Sequence, residues 1–226
     1  MLYRLQQPEC WLKQEVKLPP ALCMDDAKFN EIWNLHPSKR GEIKSFGKVI
    51  PTPRWTQSYG KDYVFSGTRH VASPIPKEFQ AHLDWVNAHP DTYISEKQSP
   101  GAHRAKYTYD QLLVNWYEGD DYIGPHADSE KQLTKGAPIF SFSYHQKTPR
   151  RFVIHPDSKE ATMREHKAGP NREKVLKKYK CLDLTMPHNS VVWMGGKMQS
   201  HYKHSVPKQK NIEGSRRINI TLRAFK

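Results

Sequence analysis

The stretch Arg217-Ile218-Asn219-Ile220-Thr221-Leu222-Arg223 alternates without a break. Successive side chains of extended backbone point to opposite sides. As a strand, this segment puts Ile218, Ile220 and Leu222 on one face and Arg217, Asn219, Thr221 and Arg223 on the other. The apolar face needs a core. The polar face reads either as a solvated outer surface or as a cradle for a small dicarboxylate. An arginine at each end with short hydrogen-bonding residues between fits the cradle, since a guanidinium grips a carboxylate through two parallel charge-assisted bonds.

Working outward, residues 112–117, 139–144, 151–155, 181–184 and 190–194 read as further short strands, punctuated by Gly, Pro, Asn and Asp. Strands of this length and spacing predict a β-sandwich or jelly roll. Asn115 and Tyr117, two apart on the first of them, would add hydrogen bonds to the same cradle. Ahead of the strands, 25–35 reads as a short helix with Phe29, Ile32 and Trp33 on one side. A second helix, 77–88, carries Phe79, Leu83 and Val86 at helical spacing and stops before Pro90. Between the two, 37–54 is basic and holds prolines, as a loop and hairpin would. The expected class is α+β, with helices and a basic arm first and a β core second. Residues 156–180 form a charged insertion, read as an exposed loop or hairpin.

Two histidines and one carboxylate on one side of a metal suit non-haem Fe(II), because they leave adjacent positions open. Four His-x-Asp pairs compete: His82/Asp84, His89/Asp91, His126/Asp128 and His155/Asp157. The first falls on the second helix, where residues two apart diverge by about 200°. The second and fourth contain Pro90 and Pro156 and read as turns. His126-Ala-Asp128 follows a strand and a glycine-flanked turn, and in extended backbone its two side chains share a side. A third ligand must come from a distant strand, where His204 leads and His201 competes.

Thirty-six Lys and Arg against 23 Asp and Glu give a formal charge of +13. That favours polyanionic partners through counterion release, although a well-solvated surface carries lysines too. A mean hydropathy of −0.85 goes with 36% hydrophobic residues, enough for a core and too much for a disordered chain. No apolar run approaches the roughly 20 residues of a membrane span, and Gln6, Gln7, Pro8 and Glu9 break any leader-like segment. Cys10, Cys23 and Cys181 are scattered, which argues against a zinc or disulfide framework and for reduced thiols. The expectation is a soluble, intracellular protein without membrane association.

Asn115-x-Tyr117, the eleven residues from Asn115 to His126 of His-x-Asp, the distant His204-Ser-x-Pro207 and the terminal Arg217-x-Asn219-x-Thr221-x-Arg223 occur in one order. Together they resemble the AlkB family of Fe(II)- and 2-oxoglutarate-dependent dioxygenases. The resemblance implies a double-stranded β-helix (jelly-roll) core in a single domain over 1–226. Residues 1–106 would be an N-terminal extension and nucleotide-recognition lid, and 107–226 the catalytic core. It implies Fe(II) on His126, Asp128 and His204, and 2-oxoglutarate on Asn115, Tyr117, Arg217, Asn219, Thr221 and Arg223, with O2 as the other co-substrate. The implied reaction is oxidative demethylation of N1-methyladenine and N3-methylcytosine in DNA, releasing formaldehyde, succinate and CO2.

The N-terminal half is similar to the type-2, duplex-DNA branch of that family. Phe46-Gly47-Lys48 resembles its finger, whose ring fills the gap left by a flipped base; Pro53-Arg54, Tyr59-Gly60 and Tyr63-Val-Phe65-Ser66-Gly67 follow. By resemblance Tyr63, Phe65 and Ser66 line the base pocket, the base stacks between Phe65 and His126, and Glu130 contacts it. Ser129 departs from the branch, which tends to have an acid there. The roles suit the physics: a base must be unstacked before chemistry, an inserted ring offsets part of that cost, and aromatic faces hold both a flipped and a cationic base. Lys44, Lys48 and Arg54 would track phosphates without reading sequence. The expected partner is double-stranded DNA, bound by a monomer in a nucleus or, in a bacterium, the cytoplasm. RNA or single strands are the alternative within the family, and hydroxylation of a protein the alternative outside it.

Overall fold

The computed structural model describes residues 1–5, 10–45, 47–65, 67–88, 107–128, 131–157 and 181–226. Phe46, Ser66, Glu130, the His89/Asp91 pair and residues 158–180 of the basic insertion lie outside that set.

The alternating segment that ends in Arg223 is β16 (Arg216–Arg223), and it runs through the middle of an eight-stranded sheet. Its neighbours are β9 (Gln111–Glu118) and β11 (Ile139–Gln146), both antiparallel to it. Beyond β11 come β14 (Ser190–Gly196), β2 (Cys10–Glu15) and β1 (Leu2–Arg4); beyond β9 come β5 (Trp55–Tyr59) and β8 (Ala72–Ser73). A four-stranded sheet has the order β10 (Ile123–His126), β15 (Tyr202–Val206), β12 (Arg150–Pro156) and β13 (Leu182–Met186). Two hairpins stand apart from these sheets: β3 (Glu42–Ser45) with β4 (Lys48–Pro51), and β6 (Tyr63–Phe65) with β7 (Thr68–His70).

The apolar face of β16 meets helices. Ile218, Ile220 and Leu222 are fully buried in one cluster with Phe29, Ile32 and Trp33 of α1 (Asp26–Trp33) and Val86 of α2 (Gln80–Ala88). Each such side chain contributes roughly 1.5–3 kcal/mol when wholly removed from water. Asp25 caps α1 by accepting from the Lys28 amide at 2.8 Å, satisfying one of its free N–H groups. A second cluster joins the two sheets, with Leu12, Ile139, Val192 and Met194 of the larger against Phe152, Ile154 and Leu184 of the smaller. The polar face of β16 therefore looks into the space between the sheets.

Three details differ from the sequence expectations. The larger sheet also takes β1, β2, β5 and β8 from the N-terminal half, so strands are not confined to 107–226. His82 belongs to the buried stripe of α2, and Leu83 packs at its margin. The expected strand 151–155 extends to Pro156, which closes β12 and does not open a turn. Between β5 and β6, Gly60 has φ +80°, and a Cβ there would stand 2.2 Å from the Asp110 carbonyl oxygen. Glycine is required at that point.

Candidate active site

The register of three strands assembles the polar cradle. Asn219 pairs with Asn115 on one side and Ser143 on the other; Arg217 pairs with Tyr117 and His145; Thr221 pairs with Ser141. All eight face the interior, because in each strand the alternate residues serve the helix-side core. Ser141 and Ser143 escaped the sequence argument. Their signal was present in the alternation Phe140-Ser141-Phe142-Ser143-Tyr144, which was read only as a strand.

The two arginines are not equivalent. Arg217 is 2% exposed and rests over the Tyr117 ring, and its Nη2 donates to Ser143 Oγ at 2.8 Å. Its Nε and Nη1 are buried without a partner. Burial draws its pKa down to about 10, with Tyr117 opposing, so the group stays charged at neutral pH. Arg223 instead donates through Nη2 to Asp128 Oδ1 at 2.9 Å and through Nη1 to Gln111 Oε1 at 3.2 Å. The expected pair of clamps thus contains one guanidinium open to an anion and one already paired with a carboxylate. Asn219 is also engaged: its amide donates to Ser141 Oγ and the Phe142 carbonyl while accepting from Thr221 Oγ1. Asn115 accepts from Arg54 Nε at 3.0 Å and Thr56 Oγ1 at 2.9 Å, which aims its amide nitrogen elsewhere.

Arg54 corrects an expectation. Expected among the residues that track phosphates, it is 5% exposed and borders the cavity beside Asn115. The physical reason is its place just ahead of β5, which pairs with β9 and draws the side chain inward. Lys48 is exposed on β4, and Gly47 takes the turn before it with φ +76°.

His126, at the end of β10, and Asp128, two residues on, meet His204 of β15, which pairs directly with His126. One ligand atom from each lies within 4.8 Å of the others. His126 Nδ1 stands 2.9 Å from the Gly124 carbonyl. A carbonyl only accepts, so Nδ1 carries the proton and Nε2 keeps a free lone pair. Burial lowers the pKa of both imidazoles, that of His204 to about 3; neutral rings are what a metal requires. Burial alone would raise the Asp128 carboxyl, but Arg223, His204 and His126 outweigh it and hold the group below the usual carboxylate range. Tyr63 donates to Asp128 Oδ1 at 3.2 Å, and Oδ2 is buried without a partner.

The competing pairs have other occupations. His82 is 2.6 Å from the Tyr144 hydroxyl and Asp84 accepts from Gln80. His155 contacts Ser205 Oγ and Cys181 Sγ. The His201 carbonyl receives the Asp157 amide, and His201 does not join the metal-competent group.

One cavity of about 880 Å³ joins the cradle to the trio. Arg217, Asn219 and Thr221 border it along the sheet, His126, Asp128 and His204 border it too, and the two hairpins complete it with Ile43, Ile50, Tyr63 and Phe65. The donor set fits Fe(II): two neutral imidazoles, a carboxylate with a free oxygen, and room left open. The unpartnered N–H groups of Arg217 fit a carboxylate, since a buried unpaired guanidinium is costly.

A jelly roll with such a trio and a buried guanidinium open to an anion defines the class of non-haem iron oxygenases that consume a 2-oxo acid. The chain matches the 2OG-Fe(II) oxygenase superfamily over residues 28–223 and belongs to that family; Fe(II), 2-oxoglutarate and O2 are its cofactor and co-substrates. It is 29% identical over 186 residues to the human DNA oxidative demethylase ALKBH2, covering 80% of this chain and 60% of that protein. It is 36% identical over 199 residues to the Arabidopsis thaliana protein of the same name, covering 83% and 58%. The chain thus spans about 60% of the length of these relatives. Among solved structures, OsALKBH1 superposes with a TM-score of 0.57 at 16% identity, covering 99% of this chain and all of that one. A 2OG-Fe(II) oxygenase-family oxidoreductase from Burkholderia pseudomallei gives 0.51 at 12%, covering 94% and 84%. At these identities the structures speak for the fold alone.

Proposed function

We propose that the protein is a DNA oxidative demethylase, removing methyl groups from bases such as N1-methyladenine and N3-methylcytosine and releasing formaldehyde, succinate and CO2. The observation that carries the reading is the single cavity, which runs from an anion-ready arginine past a metal-competent trio to an aromatic and apolar mouth. The names of the relatives support nucleic acid as the substrate, and a charge of +13 supports a polyanion.

His126, Asp128 and His204 would hold Fe(II), which when bound supplies the oxidising chemistry together with 2-oxoglutarate and O2. Arg217 would take the distal carboxylate of 2-oxoglutarate, with Tyr117 and the Asn115 amide beside it. Arg223 and Tyr63 hold Asp128 ionised and oriented. Phe65 and the His126 ring offer flat faces to a flipped base, so the methyl carbon is positioned beside the metal; such positioning is where the protein contributes most to rate. Membership of the duplex-specific branch is part of the proposal. The β3–β4 hairpin borders the cavity through Ile43, Ile50 and Pro51 and exposes Val49 and Ile50, as an element entering a base stack would. Glu130 and Ser66 are assigned to the base by resemblance alone.

Formaldehyde release from oligonucleotides carrying one N1-methyladenine, single- and double-stranded, with and without 2-oxoglutarate, tests the reading. Release that depends on 2-oxoglutarate is expected, and none from either substrate would refute it. Phe46→Ala should lower duplex activity and spare single strands; equal loss on both would move the protein to the single-strand or RNA branch.

A further inference from the structure

The β6–β7 hairpin carries a ring that neither the metal trio nor the carboxylate cradle uses. Tyr63 faces His70 across the ladder, and Phe65 lies two residues along the same side of the hairpin, within diagonal reach of an aromatic ring. His70 lies flat on Phe65, with ring centres 3.9 Å apart and planes 4° from parallel. Its Nε2 is buried and has no hydrogen-bond partner. Phe65 borders the cavity together with His126; one face is backed by the imidazole, the Tyr63 ring stands tilted beside it at 5.5 Å, and a stacked ligand would take the face opposite His70.

We propose that His70 is a specificity-determining residue of the base pocket, fixing the plane of Phe65 and setting, through its own charge, the preference for a cationic over a neutral base. The proposal rests on the base-demethylation reading above. Both faces of a phenyl ring attract cations, so a cationic N-methylated base gains from stacking on the face of Phe65 opposite His70. A neutral imidazole behind the ring leaves that gain intact. An imidazolium there repels a second cation roughly 8 Å away through the ring, enough to weaken its binding roughly tenfold or more. A neutral methylated base feels little of this. Burial, and then Arg54, disfavour the charged form of His70. The other charged groups nearby are the Asp62–Arg69 pair of the same hairpin and the exposed Glu42 of β3, the strand that packs on β7.

The test compares kcat/KM for two oligonucleotides, one with a single N1-methyladenine (cationic) and one with a single N3-methylthymine (neutral), from about pH 7.5 to about pH 5.5. Taking their ratio cancels any titration at the metal trio, which affects both. In the unaltered protein the ratio should fall as pH drops below the ordinary imidazole value, most steeply at the acid end because burial and Arg54 delay the proton, and by up to roughly tenfold once His70 is charged; in His70→Phe, whose ring stacks but cannot charge, it should stay constant. His70→Gln serves the same purpose if the phenylalanine variant fails to fold. A flat ratio in the unaltered protein, or the same slope in the variants, overturns the proposal and leaves the demethylase reading standing. Absence of formaldehyde from both substrates instead defeats the demethylase reading itself.

Discussion

Arg223 donates to Asp128 Oδ1 across 2.9 Å, and both side chains are almost wholly shielded from water. Removing one member of such a pair costs about 3–5 kcal/mol, because it strands the other. In Arg223→Met the carboxyl should take up a proton, so a metal must displace it before binding. Mn(II) affinity, measured by titration calorimetry, is expected to fall more than roughly tenfold. Adding Asp128→Asn should recover part of the thermal stability without restoring metal binding. Unchanged affinity in Arg223→Met would separate this arginine from the metal trio.

Arg217 answers to a different ligand. Lysine keeps the charge but loses the planar fork, so Arg217→Lys should weaken 2-oxoglutarate binding to the Mn(II)-loaded protein roughly 10- to 100-fold. Mn(II) affinity itself should hold. Equal 2-oxoglutarate affinity in both proteins would place the co-substrate elsewhere.

His82 gives the fold a pH dependence unconnected with the site. The Tyr144 hydroxyl donates to the Leu22 carbonyl and therefore accepts from His82 Nε2, leaving Nδ1 buried and bare. Burial, with a smaller effect of Lys28, lowers its pKa to about 4. A histidine depressed in the folded state stabilises above its unfolded value, and that stability is lost as pH falls, because the unfolded chain protonates first. The window runs from the ordinary imidazole value of 6.5 down to about 4, for a total of about 3 kcal/mol. In His82→Phe that share of the acid sensitivity should vanish, as urea midpoints at several pH values would reveal. Parallel curves would mean that His82 is solvated when folded.

Gly60 offers a purely conformational check. Alanine there meets both a positive φ and the Asp110 backbone, so Gly60→Ala should destabilise by more than about 1 kcal/mol. A variant melting at the same temperature as the parent would mean that this junction yields easily.

The cradle was legible because β16 obeys the simplest rule of extended backbone, and no other register could bury three aliphatic residues and keep two arginines together. The trio was legible only by elimination: local geometry disfavoured the rival His-x-Asp pairs, and His204 became convincing through its order among other motifs. What stayed hidden depended on pairing across the chain. Nothing near Arg54 reveals that β5 will lie against β9 and turn it inward. Nothing in 10–15 announces a strand that extends the sheet beyond β14, since Cys10, Leu12 and Gln14 are a weak alternation until Val192 and Met194 are beside them. The bond from Arg223 to Asp128 likewise joins positions 95 residues apart.

The central position of β16 bears on how the protein is made. The ribosome delivers this strand after all its neighbours, yet it must slot between β9 and β11. Until then the nascent sheet is two fragments with raw edges, inviting chaperones or misassembly, and the iron trio has no arginine to hold its carboxylate. Catalytic competence should therefore arrive abruptly, once β16 has emerged and paired, and not grow in step with the chain.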